Sequence, residues 1–309
     1  MSSSASAEPA PLIAEINSLR RSANAVILAH NYQIPEIQDI ADFTGDSLQL
    51  SRRAAGTDAD VIVFCGVHFM AETAAILCPG KKVLIPDPEA GCPMADMITA
   101  EELRRMKSEH PGAKTVCYVN STAEVKAESD VCCTSSNATA VVESLSESEE
   151  IIFVPDGNLG EHVRDKTGRP LLLWPGYCPT HVAITPGAIL AVRNAHPDAV
   201  VIVHPECPAP VRKTADEILS TGGMLKFARS SPKKEFIVGT ESGLLYTLEK
   251  ANPGKLFYGM PEPAVCADMK RITLEKVRAS LAEKRCEVNV PEHTARGARK
   301  AVERMLSVA

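Results

Sequence analysis

Four kinds of landmark recur along this 309-residue chain at intervals of 84–90 residues, and that period restricts the fold more than any single motif. The first is a continuous apolar, β-branched run ending in polar residues: AVILAHNY, TVCYVNST and VVIVHPEC. Aligned on His30, Asn120 and His204, these runs lie 90 and 84 residues apart. The second is a Ser, Thr or Gly ahead of a helical pattern, in GDSLQLSRRA, TSSNATAVVE and STGGMLKFA, where Ser47, Ser135 and Thr221 are separated by 88 and 86 residues. A third set, DVIVFCG, EIIFVPDG and EFIVGTE, is again strand-like and runs into helix candidates such as FMAETAAIL and LLYTLEK. The fourth is an apolar stretch, a Pro/Gly-containing turn and a cysteine: VLIPDPEAGCP, LLLWPGYCP and KLFYGMPEPAVC. It sets Cys92, Cys178 and Cys266 at separations of 86 and 88 residues.

Apolar runs without alternation suit parallel strands covered on both faces. Strands alternating with helices imply right-handed βαβ crossovers. The period therefore predicts an α/β protein of three homologous α/β/α sandwich domains with small parallel sheets, over 24–112, 113–196 and 197–285. Residues 1–23 read as a disordered tail of small residues and a short amphipathic helix over 12–22. Residues 286–309 read as a C-terminal helix docking elsewhere.

The chain is 45% apolar and 23% charged, with ample material for a core. A formal net charge of −6 gives no reason to expect nucleic-acid binding, and the basic residues near the C-terminus alternate with acids as on a solvated helix face. No stretch approaches the roughly twenty apolar residues of a membrane span, and MSSSASAEPAP lacks the basic start and apolar core of a secretion signal. Ten cysteines in a chain of this size indicate a reducing compartment, which places the protein in the cytoplasm. No CxxC occurs, so zinc-ribbon, thioredoxin and ferredoxin signatures are excluded, and any metal site must be assembled from distant segments.

Ligands of open parallel sheets bind beyond the carboxyl ends of the strands. His30, Tyr32, Asn120, His204, Glu206 and the three spaced cysteines all fall there. Three thiolates suit zinc or an iron–sulfur cluster and leave one coordination position open; the spacing does not decide between the metals. The other seven cysteines read as small buried hydrophobes. Ser47, Ser135 with Ser136, and Thr221 are each helix caps when taken singly, but together they suit a phosphate or a dicarboxylate. The pairs His30/Tyr32 and His204/Glu206 have the spacing of acid–base groups on one side of a strand end. His181, three residues after Cys178, reads as a substrate donor or a helix-start residue. Spacing alone also allows a thiolate-zinc hydrolase of a phosphorylated substrate, or a non-enzymatic anion-binding module.

Several long segments, in order, resemble the quinolinate synthase family of bacteria and archaea: AHNYQIPEIQDIADFTGDSL, VHFMAETAAIL, GCPMAD, YVNSTAEVKAESD, HPEC and CADMKRITLEKV. The resemblance runs from about residue 12 to residue 290. It implies a cytoplasmic enzyme of de novo NAD biosynthesis that condenses iminoaspartate with dihydroxyacetone phosphate, giving quinolinate, phosphate and two waters. It also implies three homologous domains about a pseudo-threefold axis, and a 4Fe–4S cluster held by Cys92, Cys178 and Cys266 whose open iron acts as a Lewis acid. Carried over by motif, His30, Ser47, Tyr118, Asn120, Ser135, His181 and Thr221 contact substrate, while Tyr32, His204 and Glu206 transfer protons. An aspartate oxidase or dehydrogenase in transient contact would supply the iminoaspartate. Two departures are visible. The C-terminal CxxC of some family members is missing, with only Cys286 in that region, and Pro-Met follows Cys92 where Ser-Leu is common.

Overall fold

In the computed structural model, which describes residues 9–308, twelve strands form three separate four-stranded sheets, all parallel. The first contains β1 (Ala25–His30), β2 (Phe43–Gly45), β3 (Val61–Cys65) and β4 (Lys82–Leu84). The second contains β5 (Lys114–Tyr118), β6 (Val131–Cys133), β7 (Ile151–Val154) and β8 (Leu171–Leu173). The third contains β9 (Val200–Val203), β10 (Glu217–Ile218), β11 (Glu235–Gly239) and β12 (Leu256–Tyr258). The spatial orders are β2-β1-β3-β4, β6-β5-β7-β8 and β10-β9-β11-β12, one topology used three times.

Register repeats as well: Ile27 faces Val63, Val116 faces Phe153, and Ile202 faces Val238 across the central pair of each sheet. All six of these side chains are buried. Helices cover the sheets, as uninterrupted apolar strands require. In each unit the chain steps outward from the first strand to the second, then returns past the first to the third. The loops after the first and third strands therefore diverge, opening a crevice at their carboxyl ends.

The α/β class with three small parallel sheets matches the expectation from the repeat. The short edge strands β2, β6 and β10 are additions. At two or three residues each they carry no periodicity, and they are held only by pairing with the longer strand beside them, as in Leu28 with Phe43.

The helix expected over 12–22 begins earlier, at Pro9, and ends at Ser22. The rest of the expected N-terminal tail, residues 1–8, lies outside the described residues. The helix Glu292–Ser307 buries Thr294, Ala295, Ala298, Ala301, Val302 and Met305, an i, i+3, i+4 stripe that leaves its charges on the other face. Its small residues let it lie close to the helix Ala123–Ala127, where a Cβ on Gly297 would come within 3.0 Å of Ala127. Asn137 Nδ2 ties its end to the second sheet, donating to Met305 O at 3.1 Å and Val308 O at 3.2 Å. Among the described residues, no helix is long and apolar enough to cross a membrane.

Candidate active site

A cavity of about 450 Å3 opens at the carboxyl ends of the strands, and all fourteen residues singled out in the sequence, Ser136 included, line it. They come from all three sheets. The strand ends supply the first group. β1 ends on His30 and β9 stops one residue before His204, after which the backbone turns. His30 Nδ1 accepts the Tyr32 N–H at 3.2 Å, and His204 Nδ1 accepts the Glu206 N–H at 3.4 Å. Each pair is thus held by a turn rather than by the pleat of a strand.

These bonds leave the proton of both imidazoles on Nε2. Burial pushes His30 and His204 down to about 3, and the attraction of Glu206 offsets only part of this. Both rings are neutral donors near pH 7. His204 Nε2 lies 3.2 Å from Ser135 Oγ, a contact between the third and second repeats.

Glu206 is buried and is the hub of the site. Tyr118 donates its phenol to Oε1 at 2.5 Å, and His181 Nδ1 stands 2.7 Å from Oε2. Burial alone would raise this carboxyl, but His181, His204 and the Tyr118 hydrogen bond together hold it well below the usual carboxylate range. On the other side of His181, Nε2 lies 2.8 Å from Thr240 Oγ1 and 3.4 Å from Tyr32 OH, which is itself 2.6 Å from Thr240 Oγ1. Burial, with Glu206 adding, raises the Tyr32 phenol well above its ordinary value, so it is protonated. A continuous hydrogen-bonded path therefore runs from Tyr32 through Thr240 and His181 to Glu206 and Tyr118.

The helix starts supply the second group. None of Ser47, Ser135, Ser136 and Thr221 is an N-cap: Ser47 and Thr221 are the first helical residues, after the caps Asp46 and Ser220, whereas Ser135 and Ser136 precede Asn137, the residue that leads into the helix Ala138–Glu143. Asp46 forms a capping box with Gln49, and Ser220 accepts from Gly223 N at 3.1 Å. The caps also join the repeats to one another: Ser136 Oγ donates to Asp46 Oδ2 at 2.6 Å and lies 2.8 Å from Ser220 Oγ. Gly222 has to be glycine here because a Cβ would collide with Asp46 Oδ2. With the caps occupied, the hydroxyls of Ser47, Ser135 and Thr221 are left to line the cavity, although Thr221 Oγ1 accepts from Asn31 Nδ2 at 3.0 Å. Asn120 lines it too, with its Oδ1 buried and lacking a hydrogen-bond partner.

The third group is the cysteines. All ten are free; Cys65, Cys78, Cys117, Cys132, Cys133 and Cys207 are buried away from the cavity lining, and Cys286 is half-buried. Cys92, Cys178 and Cys266, all partly exposed, alone line it. Burial pushes the Cys92 thiol up to about 12, with Glu206 and Cys266 adding to it. Burial likewise raises Cys178, helped by Glu206 and Cys92, and raises Cys266. Burial thus favours the protonated form of all three thiols, and a cation bound among them would draw off their protons. Cys178, His181 and Glu206 also place one ligand atom each within 4.8 Å of one another, although His181 and Glu206 already engage each other.

Several lining or supporting residues escaped the sequence reading. Asp46 and Gln49 carried a signal, the capping-box spacing. Thr240 and Glu241 sit in EFIVGTE, where they look like an ordinary strand exit. Glu241 is fully buried against Lys270, a pairing across 29 residues that no local pattern announces.

The family described as Quinolinate synthetase A protein matches residues 14–307. The chain is 58% identical over 294 residues to the quinolinate synthase of Dehalococcoides mccartyi (strain CBDB1), covering 95% of this chain and 97% of that protein. It is 55% identical over 297 residues to the quinolinate synthase of Desulforudis audaxviator (strain MP104C), covering 96% and 98%. To that of Methanosarcina barkeri (strain Fusaro / DSM 804) it is 54% identical over 301 residues, covering 97% and 99%. With its three like sheets, its shared cavity and these full-length similarities, the chain belongs to the quinolinate synthetase A family of enzymes.

Proposed function

We propose that this chain condenses iminoaspartate with dihydroxyacetone phosphate to give quinolinate, phosphate and two waters, in de novo NAD biosynthesis. The observation that carries the reading is the meeting of three free cysteines, one from each repeat unit, with the ten polar residues singled out by motif around one cavity. Cys92, Cys178 and Cys266 would hold a 4Fe–4S cluster, which suits a soft three-thiolate donor set. When bound, such a cluster leaves one iron without a protein ligand and so supplies a Lewis acid for a substrate oxygen.

The chain's own groups divide the remaining work by chemistry. Ser47, Ser135 and Thr221, at or just ahead of the starts of three helices, offer hydroxyl donors to carboxylate or phosphate oxygens. Asn120 Oδ1 awaits a donor on the substrate. His30 and His204, neutral and protonated on Nε2, act as donors that polarise or hold a substrate oxygen; this moves His204 from proton transfer to electrophilic support. Tyr32 is the proton-transfer group at the cavity wall, and Thr240, His181 and Glu206 form the path by which its proton is exchanged. The iminoaspartate would be delivered by an aspartate oxidase or dehydrogenase.

The test is direct. Protein purified without oxygen and given both substrates should release quinolinate and inorganic phosphate in equal amounts. Phosphate release without quinolinate would instead favour a hydrolase.

A further inference from the structure

Tyr32 sits on a turn, and the carbonyls of that turn are taken by side chains from elsewhere. Gln38 Nε2 lies 2.8 Å from Gln33 O and 3.3 Å from Asn31 O. Between these two, Tyr32 O accepts from Lys270 Nζ, which comes from the third repeat, four residues after Cys266. Lys270 is in turn paired with Glu241, at 2.9 Å from Oε1 and 3.1 Å from Oε2.

Glu241 does not hold Lys270 alone. Its Oε2 accepts the Gly243 N–H at 2.7 Å, and its Oε1 accepts the Cys266 N–H at 3.1 Å. One buried carboxylate therefore binds the backbone of a cavity cysteine, the backbone of Gly243 and the ammonium that grips Tyr32. Gly243 closes the arrangement. A Cβ there would stand 2.6 Å from Tyr32 O and 2.8 Å from Lys270 Nζ, so only glycine lets the two repeats approach this closely. Gly243 O receives Gln38 Nε2 at 3.1 Å, returning the chain of bonds to the Tyr32 turn.

We infer that Glu241, Lys270 and Gly243 are positioning residues that set the Tyr32 phenol relative to the Cys266 loop. The inference rests on the proposed reaction, in which Tyr32 transfers a proton beside groups held by that loop. A buried carboxylate whose partners are all satisfied is a rigid tie, and Glu241 has three, the half-buried Lys270 among them. Its loss would let the turn relax by a fraction of a bond length or more, enough to misplace a reacting group.

Lys270→Met, Lys270→Arg and Gly243→Ala should be purified without oxygen beside the wild type. Iron per chain, kcat and KM for dihydroxyacetone phosphate are then measured. Lys270→Met and Gly243→Ala should keep wild-type iron and show kcat lower by about 10²-fold, with KM shifted by less than about threefold. Lys270→Arg, which keeps the charge beside Glu241, should recover most of the lost kcat. Wild-type kcat in Lys270→Met at full iron content overturns the inference. So does a loss of kcat that only follows a loss of iron in both Lys270→Met and Gly243→Ala, because the residues would then merely support the cysteine loop. A wild type that makes no quinolinate would sink the proposed reaction itself, a separate outcome.

Discussion

His181 Nδ1 lies 2.7 Å from Glu206 Oε2 with both side chains buried, so the carboxylate fixes which imidazole nitrogen carries a proton and leaves Nε2 facing Thr240 and Tyr32. This arrangement gives Glu206 a job beyond occupying the cavity wall. It is the ionised end of the path that starts at the tyrosine, although it also receives the Tyr118 phenol.

Glu206→Gln keeps the size of the side chain and removes the charge. The imidazole is no longer oriented by a carboxylate, and proton exchange at Tyr32 is interrupted. We expect kcat to fall by about 10²–10⁴-fold, the usual range for loss of acid–base assistance. KM and iron content should change little. Steady-state kinetics on iron-replete protein decide the matter, and undiminished turnover would remove Glu206 from the path.

Stability should depend on pH through His30 and His204. Both are depressed to about 3 by burial in the folded protein, against about 6.5 in an unfolded chain. The unfolded state therefore binds protons first as pH falls. The stabilisation is fully present above about pH 6.5 and is lost progressively toward pH 3. Thermal midpoints of metal-free protein should drop between pH 7 and pH 5, and a His30→Gln, His204→Gln double variant should show a shallower slope. An equal slope in the double variant would mean that other groups dominate.

Ser136 links the caps of two other repeats through Asp46 Oδ2 and Ser220 Oγ. Neighbouring residues Ser47, Ser135 and Thr221 line the cavity, so this link sets the spacing of the hydroxyls that we assign to anion binding. A hydrogen bond to a charged group contributes about 1.5–3 kcal/mol. Ser136→Ala should accordingly raise KM for both substrates by about tenfold or more, with kcat less affected. Unchanged KM values would separate the link from substrate binding.

Much of this site was legible because the fold is repeated. A single His-Asn-Tyr or a lone cysteine carries little information, but His30, Asn120 and His204 at matching strand ends do, as do the three cysteines at near-equal spacing. What stayed hidden depends on contacts between repeats. Lys270 meets Tyr32 O across 238 residues, and Ser136 meets Asp46 across 90, with no shared local pattern. Two of the caps, those expected at Ser47 and Thr221, were misplaced by one residue for a local reason. Asp46 and Ser220 keep extended backbones, and their side chains reach the amides three residues on, so Ser47 and Thr221 fall inside the helix. The His–x–Tyr and His–x–Glu pairs looked like pleated neighbours, whereas the N–H to Nδ1 bonds belong to turns beyond the strands.

The central claim is that three repeats jointly hold one cluster through Cys92, Cys178 and Cys266. Its most direct test is the iron and acid-labile sulfide content of protein purified without oxygen, for the wild type and for Cys92→Ser, Cys178→Ser, Cys266→Ser and Cys286→Ser. A brown wild type with about four irons and four sulfides per chain is expected, with near-complete loss in each of the first three variants and none in Cys286→Ser. A colourless zinc protein, or a full cluster surviving loss of any one of the three cysteines, would contradict it.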